Sequence, residues 1–271
     1  MATTDLKGKT ALVTGASSGL GAAFARDLAA RGANLVITAR RADNLHALAR
    51  ELRERHAVAV DVIALDLSVP GAAAELYALA EGAGRTIDVL INNAGGGIHQ
   101  SFVDIPWDRI ARQIQLNLTA LTELTHVFTR AMLARGGGYV LNVSSVGAYS
   151  PSPTYATYSA TKAFVRDFTE AVAYELRATP VRVCCLCPGL TRTEFHQAAG
   201  ANDLPAAVRM TFMSAEDCAA IGLTALFGGR RNVIAGIVNK IGMWLLRFLP
   251  RRTIVWSAAL TMGPPRAAKE G

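Results

Sequence analysis

The segment YATYSATK at residues 155–162 combines two tyrosines and a lysine that could transfer a proton. A free tyrosine has a pKa near 10 and releases its proton poorly at neutral pH. Lys162 follows Tyr158 by one helical turn on the same face, so its charge is expected to lower the pKa of Tyr158. Tyr155 precedes Lys162 by seven residues, about 10 Å along a helix axis, which is too far for the lysine charge to lower its pKa. Tyr158 is therefore the predicted proton carrier.

A glycine-rich turn, TGASSGLG at residues 14–21, joins a predicted strand to a predicted helix. Glycines let a backbone turn tightly and approach a ligand, and a helix N-terminus offers N–H groups and partial positive charge. The turn therefore favours pyrophosphate binding, with a turn that serves only packing as the alternative.

Two arginines, Arg40 and Arg41, follow the second predicted strand. An NAD site usually has an acid there for the ribose hydroxyls, whereas a guanidinium can clamp a 2′-phosphate. The pair therefore favours NADP(H), and two solvated arginines are the alternative. Asp43 is expected to cap the following helix rather than to bind a ribose.

Short apolar runs alternate with segments of helical periodicity from residue 10 to about 190. The predicted strands are 10–14, 34–39, 60–65, 87–91, 138–144 and 181–186, and the predicted helices are 19–31, 43–55, 70–82, 107–134 and 155–178. The strands are continuous apolar runs that do not alternate in polarity, which is typical of strands covered on both faces. The pattern predicts an α/β fold, a Rossmann-type doubly wound parallel sheet.

The predicted organisation is a single domain over residues 1–236 followed by a C-terminal amphipathic helical tail over residues 237–271. Within the domain, residues 190–213 have weak periodicity and follow the sixth strand. Because ligands bind at the carboxyl ends of such strands, this stretch is predicted to form a substrate loop.

Composition excludes several classes of protein. The chain has 271 residues, 51% of them hydrophobic, which suits one large globular domain, and no apolar run is long enough to span a bilayer. The net charge of +7 comes with basic residues spread along the chain, which argues against nucleic-acid binding.

The four cysteines lack zinc or disulfide spacing, so buried reduced thiols and no metal site are expected. Without a secretory signal pattern, the expected location is cytoplasmic.

Seven motifs, in order, resemble those of the short-chain dehydrogenase/reductase family. They are TGASSGLG (14–21), Asp66-Leu67, NNAG (92–95), Asn117, NVSS (142–145), Tyr158-xxx-Lys162 and PGLTRT (188–193). The resemblance covers about residues 7–228 and implies a nicotinamide-dependent oxidoreductase.

The resemblance also implies the cofactor contacts. From the pyrophosphate through the adenosine to the nicotinamide, these are Gly15, Ser17, Gly19, Leu20 and Gly21; Asp66 and Leu67 at the adenine; Asn93, Ala94 and Gly95 at the adenosine ribose; Pro188, Gly189, Thr191 and Thr193 at the carboxamide; and Tyr158 and Lys162. Asn92 is expected to brace the sheet instead.

The catalytic set implied by the resemblance is Ser145, Tyr158, Lys162 and Asn117. The family's serine precedes its tyrosine by thirteen residues, which selects Ser145 over Ser144. Ser145 would hold the substrate oxygen that Tyr158 protonates, and Asn117 would anchor a water that relays protons from Lys162. Without the resemblance, Asn117 is better explained as an amide that satisfies a nearby carbonyl.

The expected reaction is the NADPH-dependent reduction of a ketone or aldehyde, with an apolar substrate such as a ketoacyl or steroid-like compound. Tyr155 is interpreted as a wall of the substrate pocket, or otherwise as a packing residue. The alternative function is a non-catalytic NADP-binding regulator or scaffold, which would be expected to lose the proton-transfer residues retained here. Family members commonly pair their two long helices, here 107–134 and 155–178, so a homodimer or homotetramer is expected.

Two remaining features have less defined roles. His99 follows NNAGGGI, and no second metal ligand occurs at a recognisable spacing from it. It is therefore interpreted as a surface loop histidine. In the tail, apolar residues occur at helical spacing, namely Ile237, Ile241, Trp244, Leu245 and Phe248, with Lys240 and Arg247 on another face. This element could pack on the domain or a sister subunit, cover an apolar substrate site, or lie on an anionic membrane surface.

Overall fold

The structure is a computed structural model that describes residues 4–81, 84–191 and 212–262. These residues contain a seven-stranded parallel sheet with the order β3-β2-β1-β4-β5-β6-β7. The strands are β1 Thr10–Thr14, β2 Asn34–Ala39, β3 Val60–Ala64, β4 Val89–Asn92, β5 Gly138–Val143, β6 Val181–Cys187 and β7 Asn232–Ile234. The strand order reverses between β1 and β4, where open α/β sheets have their ligand crevice.

Helices cover both faces of this sheet. They are α1 Gly19–Ala30, α2 Ala42–His56, α3 Ala72–Glu81, α4 Trp107–Ile114, α5 Leu121–Ala134, α6 Ala156–Glu175, α7 Ala215–Phe227, α8 Ile237–Leu245 and α9 Arg251–Met262. A π-helical segment, Gln115–Ala120, separates α4 from α5, and 3-10 turns occupy Phe102–Asp104, Val146–Tyr149 and Leu246–Phe248.

The central strands are buried on both faces, as their apolar sequences predict. In β1, Ala11 and Val13 belong to one hydrophobic cluster, which includes residues of α1, α2 and α7. Leu12, between them, belongs to a second cluster on the opposite face, with residues of α3 and α5. The doubly wound parallel sheet expected from the sequence is confirmed.

Three predicted helix features are corrected. The predicted helix 107–134 is interrupted by the π-helical segment around Asn117, a kind of local widening that is frequent at functional sites. Asp43 does not cap α2: the helix begins at Ala42 after Arg41, and Asp43 lies in its first turn. There its charge faces the positive end of the helix dipole without capping it. Most other element ends agree within one or two residues, and α6 ends three residues before its predicted end at residue 178.

The tail differs most from the expectation. Helix α8 stops at Leu245, so Phe248 lies in a 3-10 turn, and a second helix, α9, follows Pro250. Proline is common at the start of a helix, where no N–H is needed, so Pro250 fits its position just before α9. No helix among the described residues is long and apolar enough to cross a bilayer.

Candidate active site

The glycine-rich turn at the carboxyl end of β1 is a cradle that larger residues would fill. Gly15 and Gly19 have φ values of +66° and +53°, and a Cβ at Gly21 would overlap the carbonyl oxygen of Gly15. Ser18, the N-cap of α1, makes no side-chain capping bond to the helix. Backbone amides at an open helix N-terminus fit a pyrophosphate, so this turn could hold the phosphates of a dinucleotide.

Arg41 lies across this turn. Its Nη2 donates hydrogen bonds to the Ser18 hydroxyl at 2.7 Å and to the Ser17 hydroxyl at 3.3 Å. Arg40, beside it, is exposed and contributes positive charge near Asp66. The two guanidinium groups therefore place positive charge next to the phosphate turn, where an extra phosphate would be stabilised.

Asp66 and Leu67 follow β3 at the same edge. Partial burial opposes ionisation of Asp66, but hydrogen bonds from the Ser68 amide and hydroxyl and the charges of Arg40 and Arg112 leave its pKa below the usual value. Leu67 is buried in the core. The Asp66 carboxylate is thus held in one orientation at the carboxyl ends of the strands.

Residues 92–95 join the ends of β1 and β4. The Asn93 side chain donates to the Thr14 carbonyl at 2.9 Å, and the Thr14 hydroxyl accepts from the amides of Asn93 and Ala94. Asn92 faces elsewhere and donates to the Asn142 side chain at 2.9 Å, bracing β4 against β5. This network fixes the crevice at the point where the strand order reverses.

The two adjacent serines after β5 have different surroundings. Ser144 is buried, and its hydroxyl donates to the Lys162 carbonyl oxygen at 2.6 Å. Ser145 begins the 3-10 turn that follows; its hydroxyl accepts from the Gly147 amide and is hydrogen-bonded to the Tyr158 side chain. The geometry therefore brings Ser145, and not Ser144, to Tyr158.

Tyr158 and Lys162 lie on one face of α6. Lys162 is 4% exposed, and its Nζ donates to the Val143 carbonyl at 2.9 Å and lies 5.9 Å from the Tyr158 ring centroid. Burial lowers the pKa of Lys162 to about 8. Burial also raises the pKa of Tyr158 to about 12, against the opposing effect of the Ser145 hydrogen bond.

In the chain alone, burial therefore raises the pKa of Tyr158 instead of lowering it. Lys162 is itself desolvated and bonds to a backbone carbonyl, and a lowered Tyr158 pKa with the oxidised nicotinamide bound stays a prediction. At neutral pH the phenol of Tyr158 is protonated and can act as a hydrogen-bond donor.

Asn117 lies behind this pair, in the π-helical segment. Its side chain accepts from the Gly96 amide at 3.0 Å and donates to the Gly96 carbonyl and to the Thr161 hydroxyl. A Cβ on Gly95 would lie 3.2 Å from the Lys162 Nζ and 3.4 Å from the Asn117 Oδ1. The structure thus brings Asn117 beside Lys162, with its amide satisfying a backbone carbonyl; its relay role remains a prediction.

An aromatic stack adjoins Tyr158. Tyr155 is the N-cap of α6, and its buried ring lies edge-on to that of Tyr158, with 5.8 Å between centroids. His99 stacks on Tyr155 at 4.8 Å, and its Nε2 is buried without a hydrogen-bond partner. Burial, and to a lesser degree Tyr158, raise the pKa of Tyr155 to about 12.

His99 lies in a loop, as expected, but it is half-buried and one ring nitrogen is enclosed. The loop that carries it is tied to the segment before α6, because the Gln100 amide donates to the Thr154 carbonyl at 2.9 Å. Thr154 has a φ of +67°, which a β-branched residue rarely adopts. No sequence signal marks this contact, since the two segments are more than 50 residues apart.

The segment after β6 closes the other side of the crevice. The Pro188 carbonyl accepts from the Val146 amide at 2.8 Å, and the Thr191 hydroxyl donates to the Gly189 carbonyl at 3.2 Å. A Cβ on Gly189 would overlap the Asn239 side chain of α8, so the tail begins at this site. Thr193 and most of the predicted substrate loop, residues 192–211, lie outside the described residues.

The cysteines are free and buried, as predicted. Cys187 is a neighbour of the site, with its Sγ 3.9 Å from the Tyr149 hydroxyl and 3.7 Å from the Cys185 Sγ. In the part of the chain that the structure describes, no group of His, Cys, Asp or Glu side chains could hold a metal ion.

The fold combines a glycine-rich turn at the reversal point of a doubly wound sheet with a protonated phenol and a buried lysine on α6. This combination is typical of Rossmann-type oxidoreductases. The sequence comparison then identifies the family: residues 9–204 match the short chain dehydrogenase family, and the chain belongs to it.

Similar proteins include enzymes with named activities. The chain is 34% identical over 240 residues to a 7beta-hydroxysteroid dehydrogenase of Collinsella aerofaciens, covering 86% of this chain and 88% of that protein. A solved 7beta-hydroxysteroid dehydrogenase structure superposes with a TM-score of 0.86 at 31% identity, over 94% of this chain and 98% of the other. A short-chain dehydrogenase from Sphingobium yanoikuyae, solved in complex with NADPH, gives a TM-score of 0.78 at 32% identity, over 90% and 97%. The chain is therefore an oxidoreductase of this family.

Proposed function

We propose that the protein reduces a ketone or aldehyde with NADPH, using Ser145, Tyr158, Lys162 and Asn117. The observation that carries the proposal is the hydrogen bond between Ser145 and a protonated Tyr158 beside the buried Lys162. When bound, the reduced nicotinamide supplies a hydride to the carbonyl carbon. The chain must then deliver a proton to the carbonyl oxygen.

Tyr158 and Ser145 share that task. The Tyr158 phenol donates a hydrogen bond to the substrate oxygen, and Ser145 holds the same oxygen in place. The phenolate that remains after proton transfer is stabilised by its bond with Ser145 and by the charge of Lys162. Since burial brings the pKa of Lys162 to about 8, this ammonium can give up a proton near neutral pH, and Asn117 is placed to order a relay to solvent.

The substrate is proposed to be apolar and bulky, such as a steroid-like or ketoacyl compound. Tyr155 and His99 present stacked rings next to Tyr158, which suits a flat apolar molecule. The similarity to a 7beta-hydroxysteroid dehydrogenase supports the steroid-like class.

A substrate panel tests this proposal. The purified protein is incubated with NADPH and with aldehydes, ketones, β-ketoacyl thioesters and steroid ketones, and loss of NADPH absorbance is followed. We expect turnover with at least one class and the highest kcat/KM with a bulky apolar ketone. No turnover across the panel, despite measurable NADPH binding, would instead favour the regulator or scaffold.

Arg40 and Arg41 are proposed to select NADP(H) over NAD(H). Replacing Arg40 with Asp should lower the ratio of NADPH to NADH affinity by about a hundredfold, because a bidentate cation is exchanged for a carboxylate that repels a 2′-phosphate. Cofactor titrations followed by fluorescence measure both constants. The matched control is Arg50→Asp, at an exposed position of α2 away from the glycine-rich turn. An equal effect of both variants on the affinity ratio would mean that Arg40 acts only through net charge.

We also propose a homodimer or homotetramer built on α5 and α6. A groove of about 630 Å³ lies between these helices, lined by residues that include Phe164, Phe168 and Val172, and Phe164 is 44% exposed. Paired helices of a second copy would cover this apolar surface. Light scattering of the purified protein tests the proposal, and a monomer at micromolar concentration would contradict it.

A further inference from the structure

The C-terminal helices expose a concentration of large apolar side chains. More than half of the exposed large hydrophobic residues described lie here: Ile237, Val238, Ile241, Trp244, Leu245, Phe248, Leu249, Val255, Trp256 and Leu260. We call them the C-terminal patch. Trp244 is 54% exposed, Phe248 is 69% exposed, and α8 has no buried residue. Contiguous apolar surface of this kind marks an interaction site.

Charge is segregated to the same part of the chain. Residues 218–271 contain eight Lys and Arg and one Glu, so they carry a net charge of +7, equal to that of the whole chain. Basic residues occur throughout the sequence, but no acidic residue occurs between Asp217 and Glu270. In the described structure, no ion pair neutralises Lys240, Arg247, Arg251 or Arg252, all of which are exposed.

The basic residues border the apolar ones. Lys240 lies in α8 and Arg247 in the 3-10 turn that follows it, with Trp244 between them in the sequence. Arg251 and Arg252 begin α9, whose exposed face includes Trp256. An apolar helix face with tryptophan and a rim of lysine and arginine is typical of helices that lie in a membrane interface.

The same charges disfavour a second copy as the occupant. A two-fold interface would bring each patch, with its four exposed cations, against an identical patch, and no acid of the tail helices could compensate. An anionic surface supplies the missing negative charge. We propose that the C-terminal patch docks the protein on an anionic lipid bilayer, with its apolar side chains among the headgroups and its basic side chains at the lipid phosphates.

Docking would place the candidate active site close to the lipid. Helix α8 begins beside Gly189, where a Cβ would overlap Asn239, and it also contacts the turn that follows Ser145. An apolar carbonyl compound dissolved in the bilayer would then be near the crevice. This consequence rests on the proposed function, whereas the docking does not.

Vesicle binding of the full chain tests the proposal. Sedimentation is measured with vesicles of phosphatidylcholine alone and of phosphatidylcholine with phosphatidylglycerol. We expect at least tenfold stronger partitioning to the anionic vesicles, reduced at high salt. Arg251→Gln with Arg252→Gln should lower the partitioning about tenfold, and Trp244→Ser should lower it as well.

Matched variants keep the test specific. Arg50→Gln with Arg55→Gln removes the same charge from exposed positions of α2, and Trp107→Ser removes an exposed tryptophan outside the patch. Both should bind vesicles as the unaltered chain does. Circular dichroism and NADPH binding report whether each variant is folded, so loss of docking and loss of the proposed activity are measured separately.

Three results would overturn the proposal. The first is no preference for anionic vesicles, and the second is an equal loss of vesicle partitioning in the α2 and α9 arginine variants. The third is a dimer that Trp244→Ser dissociates, with neither the unaltered chain nor the variant binding vesicles. The last result would assign the patch to contacts between copies.

Discussion

Replacing Tyr158 with Phe is expected to lower kcat for carbonyl reduction by about a thousandfold while NADPH binding stays measurable. The phenol is the proposed proton donor at the crevice, and its raised pKa of about 12 keeps it protonated over the working pH range. Phenylalanine retains the ring packing against Tyr155 but removes both the proton and the bond to Ser145. Single-turnover absorbance with a substrate from the panel, alongside NADPH fluorescence, separates the chemical step from binding.

Tyr155 offers the contrasting substitution. Tyr155→Phe removes a hydroxyl three residues earlier and keeps the stacked ring, so kcat should fall only a few-fold. Tyr155→Ala removes the ring and should raise KM for bulky ketones more than it lowers kcat, because it alters the proposed pocket wall. If Tyr158→Phe kept more than a tenth of the activity, or Tyr155→Phe lost as much as Tyr158→Phe, the proton-donor role would belong elsewhere.

The order of the elements was predictable because it depends on local patterns. The central strands are apolar runs buried on both faces, and Leu12 and Val13 show why: successive residues of β1 belong to opposite hydrophobic clusters. Contacts between residues that are close in the sequence were also predictable. Lys162 lies one turn after Tyr158, and the spacing between Ser145 and Tyr158 identified the serine that the structure brings to the phenol.

Features that depend on distant contacts or on burial were not predictable. His99 meets Tyr155 only because the loop after β4 is tied to the segment before α6. The raised pKa of Tyr158 in the chain alone could not be predicted, because spacing reveals the lysine but not the desolvation of both groups. Pro250 is ambiguous in the same way: a proline that ends one helix and one that begins another look alike until the following residues are seen to pack. Ile254 and Ala258 of α9 are buried, and those contacts establish the second helix.

The buried charge of Lys162 is expected to lower the free energy of unfolding relative to a variant without that charge. Without cofactor, burial lowers the Lys162 pKa from 10.5 to about 8, so below pH 8 the folded chain holds a charge that the unfolded chain would solvate better. This depression corresponds to roughly 3 kcal/mol, of which about 1 kcal/mol is offset by the Nζ bond to Val143. Lys162→Met, which keeps the length of the side chain, should therefore stabilise the fold by about 2 kcal/mol at pH 7. Carbonyl reduction should be lost at the same time.

The pH dependence distinguishes this cause from better packing. A lysine whose folded pKa is depressed contributes its full penalty below pH 8 and loses it as the pH rises from 8 towards 10.5. Thermal unfolding without cofactor should show a melting temperature about 5 °C higher for Lys162→Met at pH 7, and this difference should shrink by pH 9.5. Lys7→Met, at an exposed lysine, should show no such trend. A constant difference across this range would mean that methionine acts through packing, and a destabilised variant would mean that the Val143 bond outweighs the cost of burying the charge. A gain that is full at pH 7 and falls between pH 8 and 10.5 would show that the chain carries an unfavourable buried ammonium next to Tyr158.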